Sequence, residues 1–77
     1  MILGRALRVL RDRAGFTQDE LAERIGIDLT YVSRVERGKR GVRWHTVLRF
    51  LRALGADLRQ LADAIAEVEK QDPPSKR

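Results

Sequence analysis

Side chains able to do chemistry are unevenly placed along these 77 residues. Between Arg34 and Arg52 stand seven cations, Arg34, Arg37, Lys39, Arg40, Arg43, Arg49 and Arg52, against one acid, Glu36. Asp19, Glu20 and Glu23 gather in the stretch before it. Nearly all of the 16 Lys and Arg are Arg, whose guanidinium forks onto phosphates and guanine edges where an ammonium offers a point charge. A net charge of +5 on so short a chain points to a polyanionic partner, nucleic acid before a membrane surface. Other chemistry is poorly supplied. Asp63 and Glu67 lie one helical turn apart, a spacing for acid–base work, but on a solvent-facing side with no pocket-forming partner, so no catalytic residue and no enzyme is expected. His45 is the sole histidine and there is no cysteine, so neither a metal site nor a disulfide is expected, and no cofactor.

These side chains need a scaffold, and the length allows one small domain. An apolar share of 43% supports a compact core, and 35% charged residues gives a wet surface. Apolar runs extend only a few residues, too few for a membrane span, and no secretory pattern opens the chain, so a cytoplasmic, nucleoid-associated protein is expected. Phe16, Tyr31, Trp44 and Phe50 are the only aromatics, too few for a platform that stacks unpaired bases.

Helical spacing recurs five times and no strand alternation appears, which predicts an all-α chain. Leu3, Ala6, Leu7 and Leu10 predict a helix over residues 2–14, closed by Gly15. Thr17-Gln-Asp-Glu20 is a capping box opening a second helix, with Phe16 and Leu21 placed as a hydrophobic staple. That helix carries Leu21, Ala22 and Ile25 and ends at Gly26. Asp28 caps a short third helix with Val32 and Val35 inward, ending near Gly38. Two short helices joined by a Gly-containing turn form a helix-turn-helix. A fourth helix carries Trp44, Val47, Leu48, Leu51 and Leu54 inward up to Gly55. Asp57 and Gln60 open a fifth with the stripe Leu58, Leu61, Ala62, Ile65 and Val68. Residues 1–70 are thus expected to form the domain, with its fifth helix extended, and residues 71–77 a frayed tail.

The stretch Thr17-Gln-Asp-Glu-Leu-Ala-Glu-Arg-Ile-Gly26, followed by Val32-Ser-Arg-Val-Glu-Arg-Gly38 and later Leu54-Gly55, resembles the phage-repressor/Cro helix-turn-helix family, often called XRE-like. The likeness covers about residues 4–66. It implies a compact five-helix domain of the lambda-repressor-like type, with the third helix lying in the major groove of duplex DNA. Val32 and Val35 must be buried, which leaves positions 29, 30, 33, 34 and 37 facing outward. The resemblance assigns base readout to Leu29, Thr30, Ser33 and Arg34, with Arg34 forked onto a guanine. It assigns the DNA backbone to Gln18, Tyr31, Arg37, Lys39, Arg40 and Arg43, Gln18 bracing either the backbone or the recognition side chains. It also implies a structural ion pair between Arg11 and Glu36. The chain departs from the family at Val42, where proline is usual, at Arg43, where a small polar cap is usual, and at Leu51, where alanine is common. Trp44 is expected in the core.

The function implied is a sequence-specific transcriptional regulator, a homodimeric repressor reading a palindrome with two recognition helices roughly 34 Å apart. The stripe of the fifth helix is longer than one domain's core needs; its distal members Ile65 and Val68, with Phe50 on the outer side of the fourth helix, are the candidate dimer face. The same resemblance admits an antitoxin or a restriction-modification controller, which would also bind a toxin or other protein partner. RNA binding is disfavoured by the scarcity of aromatics.

Overall fold

The computed structural model describes residues 2–39 and 41–71. Five helices follow one another: α1 (Ile2–Ala14), α2 (Gln18–Ile25), α3 (Leu29–Glu36), α4 (Trp44–Leu54) and α5 (Leu58–Gln71). No strand occurs among the described residues, and none of their helices is long and apolar enough to cross a membrane.

The helix ends form where local chemistry places them. The Thr17 hydroxyl accepts from Glu20 N at 3.0 Å and the Glu20 carboxylate accepts from Thr17 N at 2.8 Å, closing the capping box. At the far end of α2, Gly26 turns left-handed (φ 86°), so that Gly26 N and Ile27 N both donate to Ala22 O. A residue with a Cβ resists that angle, so the glycine allows the sharp entry into α3. Asp57 and Gln60 make the reciprocal pair that opens α5, at 2.9 and 2.8 Å. Arg43 stands at the N-cap of α4 with extended backbone and makes no side-chain cap bond.

Helix α1 is the hub and packs on α3, α4 and α5, while α2 packs on α3 and α4. Leu7, Leu21, Val32, Val35, Val47, Phe50 and Val68 are fully buried at the centre. Leu51, in the alanine position, is also buried, and Val42 packs partly against the same core. Gly4 marks the closest approach of two helices. A Cβ there would lie 2.1 Å from Val35 O and 3.1 Å from Glu36 O, so only glycine lets α1 meet the end of α3.

Several expectations need correction. Trp44 is 61% exposed rather than in the core, and Phe50 is completely buried rather than outward. Both follow from one rotation. At 100° per residue, the buried face of α4, made by Thr46, Val47, Phe50 and Leu51, centres roughly 90° round from Trp44. Counting Trp44 and Leu48 as inward turns the helix the wrong way. The same slip occurs on α5, where Leu61, Ala64 and Val68 are buried and Leu58 and Ala62 are exposed. Val68 and Phe50 therefore serve this chain's own core and cannot line an outer face; Ile65 is half-buried against that core. Finally, α5 runs through Gln71, one residue into the expected tail, and residues 72–77 lie outside the described residues.

Candidate nucleic-acid interface

The third helix is held by apolar packing and by a polar network beneath it. Val32 and Val35 fill the core side, and the Asp28 carboxylate accepts from Thr30 N at 3.3 Å at the N-terminus. At the opposite end Glu36 is 3% exposed. Its carboxylate accepts from Arg11 Nε at 2.7 Å, Arg11 Nη2 at 3.0 Å and Gln18 Nε2 at 2.9 Å. Arg11 Nη1 donates to Phe16 O at 2.7 Å, which brings the α1–α2 loop into the same network. No buried side-chain polar atom among the described residues lacks a partner. The hydrogen bond to Glu36 raises the Arg11 pKa above its ordinary value, against the opposing effect of burial. A buried carboxylate surrounded by donors from two other helices is a clamp on the recognition helix.

The pair expected of Arg11 and Glu36 is thus present, and Gln18 joins it by donating its amide to the same carboxylate. Leu29, Thr30, Arg34 and Arg37 face solvent on α3, and Ser33 is half-buried among them. Tyr31 is half-buried and packs partly against the core. Lys39 and Arg43 are exposed on the connector to α4, and Arg40 lies outside the described residues. A cationic border therefore runs from Arg34 through Arg43 beside an outward flank of mixed apolar and polar groups.

Not every cation of the run belongs to this border. Arg49 Nη2 donates to Ile25 O at 2.8 Å and satisfies a carbonyl left open at the end of α2. Arg24 lies over the Phe16 ring, 5.0 Å from its centroid. A bare arginine in a sequence carries no mark of such a partner. The carboxylates Asp63 and Glu67 also differ from expectation. They line a hollow of about 270 Å³ between α1, α5 and the end of α4, and Glu67 pairs with Arg13, which also lines it. That bond lowers the Glu67 pKa, with Arg13 and Lys70 adding attraction, and raises that of Arg13. His45 is exposed, and no group of His, Cys, Asp or Glu among the described residues is placed to hold a metal ion.

Comparison with known proteins agrees with this geometry. A family model described as a helix-turn-helix domain matches residues 2–64. The chain belongs to the helix-turn-helix domain family. Among solved structures, the clp gene regulator ClgR from C. glutamicum superposes with a TM-score of 0.80 at 34% identity, covering 87% of this chain and 86% of that one. The restriction-modification controller protein C.AhdI from Aeromonas hydrophila superposes with a TM-score of 0.72 at 40% identity, covering 78% and 91%. In sequence, this helix-turn-helix domain is 38% identical over 64 residues to a propionyl-CoA carboxylase regulator of Cereibacter sphaeroides. It is 37% identical over 60 residues to a hypothetical transcription factor of Neisseria meningitidis serogroup B. Those matches take in 83% and 78% of this chain but 14% and 57% of the two relatives, so it spans only part of their length. The domain is all-α, of the XRE type, a DNA-binding module of transcription regulators.

Proposed function

We propose that this domain is a sequence-specific transcriptional regulator that acts as a homodimeric repressor on a palindromic operator. The observation that carries the reading is the exposed flank of α3, held from beneath by the buried Arg11–Glu36–Gln18 network and bordered by Arg37, Lys39 and Arg43. A rigid helix presenting Leu29, Thr30, Ser33 and Arg34 can enter the major groove without ordering itself first. Arg34 forks onto a guanine O6/N7 edge, while Thr30 and Leu29 meet a thymine methyl. Gln18, Tyr31, Arg37, Lys39, Arg40 and Arg43 contact phosphates and set the register. Affinity comes largely from released counterions and falls steeply with salt; discrimination comes from the α3 flank. One module covers few base pairs, so two copies reading symmetric half-sites supply the specificity.

Selection of bound duplexes from a random pool tests this reading, because it yields half-site sequence, spacing and symmetry together. Arg34→Ala is expected to cost about 1–3 kcal/mol on the preferred site and relax it at one base pair. An equal loss on all duplexes would make Arg34 a phosphate contact instead. The likeness to C.AhdI supports a second reading, a controller of a restriction-modification system. A neighbouring restriction or methyltransferase gene, with operator sites in its promoter, separates that role from general repression.

A further inference from the structure

We infer that the hollow between the C-terminal end of α2 and α4 binds a small organic anion carrying a phosphate group or paired carboxylates. Arg24, Ile25, Arg49, Arg52 and Ala53 line it, three guanidiniums with no acid among them, around a space of about 330 Å³. That is the lower end of the range for small-molecule sites, about 300–1,000 Å³. None of the three arginines is assigned to the duplex, so this site stands apart from the DNA-binding flank. The alanine leaves room between the cations, and half-buried Ile25 supplies an apolar wall.

The charge here is left unbalanced by the fold. On α1, Arg8, Arg11 and Arg13 face Asp12, Glu36 and Glu67. Arg24, Arg49 and Arg52 make no ion pair among the described residues. The acids nearest in the chain are committed elsewhere, Glu20 to Thr17 N and Asp28 to Thr30 N. Two of the three guanidiniums are already held in place: Arg49 by its bond to Ile25 O at 2.8 Å, Arg24 by the Phe16 ring 5.0 Å beneath it. Holding them beforehand lowers the ordering cost of binding. Arg49 spends one N–H on the carbonyl and keeps the rest for a ligand. Arg52, three residues on along α4, brings a second fork to the same side. Such forks match phosphate and carboxylate oxygens in pairs. A single negative charge engages one fork, whereas an anion of two or more charges can bridge α2 to α4. Duplex phosphates are strung along a rod and suit a border such as Arg37, Lys39 and Arg43; cations from two helices around one hollow suit a compact anion.

Titration of the full chain with pyrophosphate, and separately with citrate, against potassium chloride of equal ionic strength tests the inference. A saturable rise in melting temperature is expected, with one anion per chain by calorimetry. The side-chain Nε–H resonances of Arg24, Arg49 and Arg52 should shift in nitrogen-15 spectra while those of Arg34 and Arg37 stay in place. Tighter binding of pyrophosphate names phosphate as the recognised group, and tighter binding of citrate names carboxylates. Arg24→Ala/Arg52→Ala should weaken binding about tenfold or more and leave duplex affinity unchanged. Arg24→Lys/Arg52→Lys keeps the charge and should recover only part of the loss, because an ammonium does not fork. A melt that rises equally in potassium chloride overturns the site, as do shifts confined to Arg34, Arg37 and Arg43. So does a double alanine variant that binds both anions as the parent does, or one that loses duplex affinity, which would make these arginines DNA-backbone contacts. Binding of a polyglutamate peptide with neither small anion bound overturns it as well, in favour of an acidic protein partner.

Discussion

Replacing Glu36 by alanine tests the clamp beneath the recognition helix. The side chains of Arg11 and Glu36 are only 9% and 1% exposed, so the deletion leaves a guanidinium buried without its counter-charge. Three hydrogen bonds vanish, two from Arg11 and one from Gln18. Removing one member of a buried pair costs about 3–5 kcal/mol. Arg11 keeps its bond to Phe16 O and an Asp12 carboxylate at 3.3 Å, which places the expected cost near the lower end, about 3 kcal/mol. At about 0.05–0.15 kcal/mol per residue, a domain of this length has only about 4–12 kcal/mol in all. The melting temperature should then fall by about 12–24 °C, at about 4–8 °C per kcal/mol. Urea titration and thermal melting by circular dichroism measure both quantities. The apolar pair Arg11→Met/Glu36→Leu should recover most of the loss, because no unpaired charge remains. A Glu36→Ala variant within about 0.5 kcal/mol of the parent would refute the clamp. Strict additivity of the two single changes would do the same.

Three further outcomes follow from local geometry. Gly4→Ala should destabilise by about 1–3 kcal/mol in urea titration, although alanine favours helix, since its Cβ would meet Val35 O at 2.1 Å. Arg43→Ser should act in opposite directions on stability and binding. A serine at that extended N-cap position adds about 0.5–2 kcal/mol to stability, while loss of a phosphate contact weakens every duplex alike and reduces the salt slope by about one. Arg13 holds the folded-state pKa of Glu67 below its ordinary value, so the pair's contribution is present above that ordinary value and is lost as pH falls through the lowered one. The stability gap between the parent and Glu67→Gln should accordingly close on acidification, and shrink in high salt because the pair is exposed. Denaturant midpoints measured against pH and salt check both trends.

Features under short-range chemical control are legible in the order of the residues. Thr17 and Glu20, Asp57 and Gln60, and Gly26 set helix ends through bonds spanning a few residues, so the elements and the helix-turn-helix were legible from spacing. On α3 the outward flank was legible too, because Val32 and Val35 are the only apolar side chains in the middle of that helix and leave one way to turn it. Tertiary structure decided the rotation of α4 and α5. Each carries more apolar residues than its buried face accommodates, so periodicity gives the pitch of the stripe but not its centre, and Trp44 and Phe50 exchange places. It also decided which arginine meets which partner: Arg49 reaches Ile25 O and Arg13 reaches Glu67 across long stretches of chain. Gly4 belongs with these, since nothing in the first helix alone reveals that the carbonyls of α3 will stand where its side chain would have been.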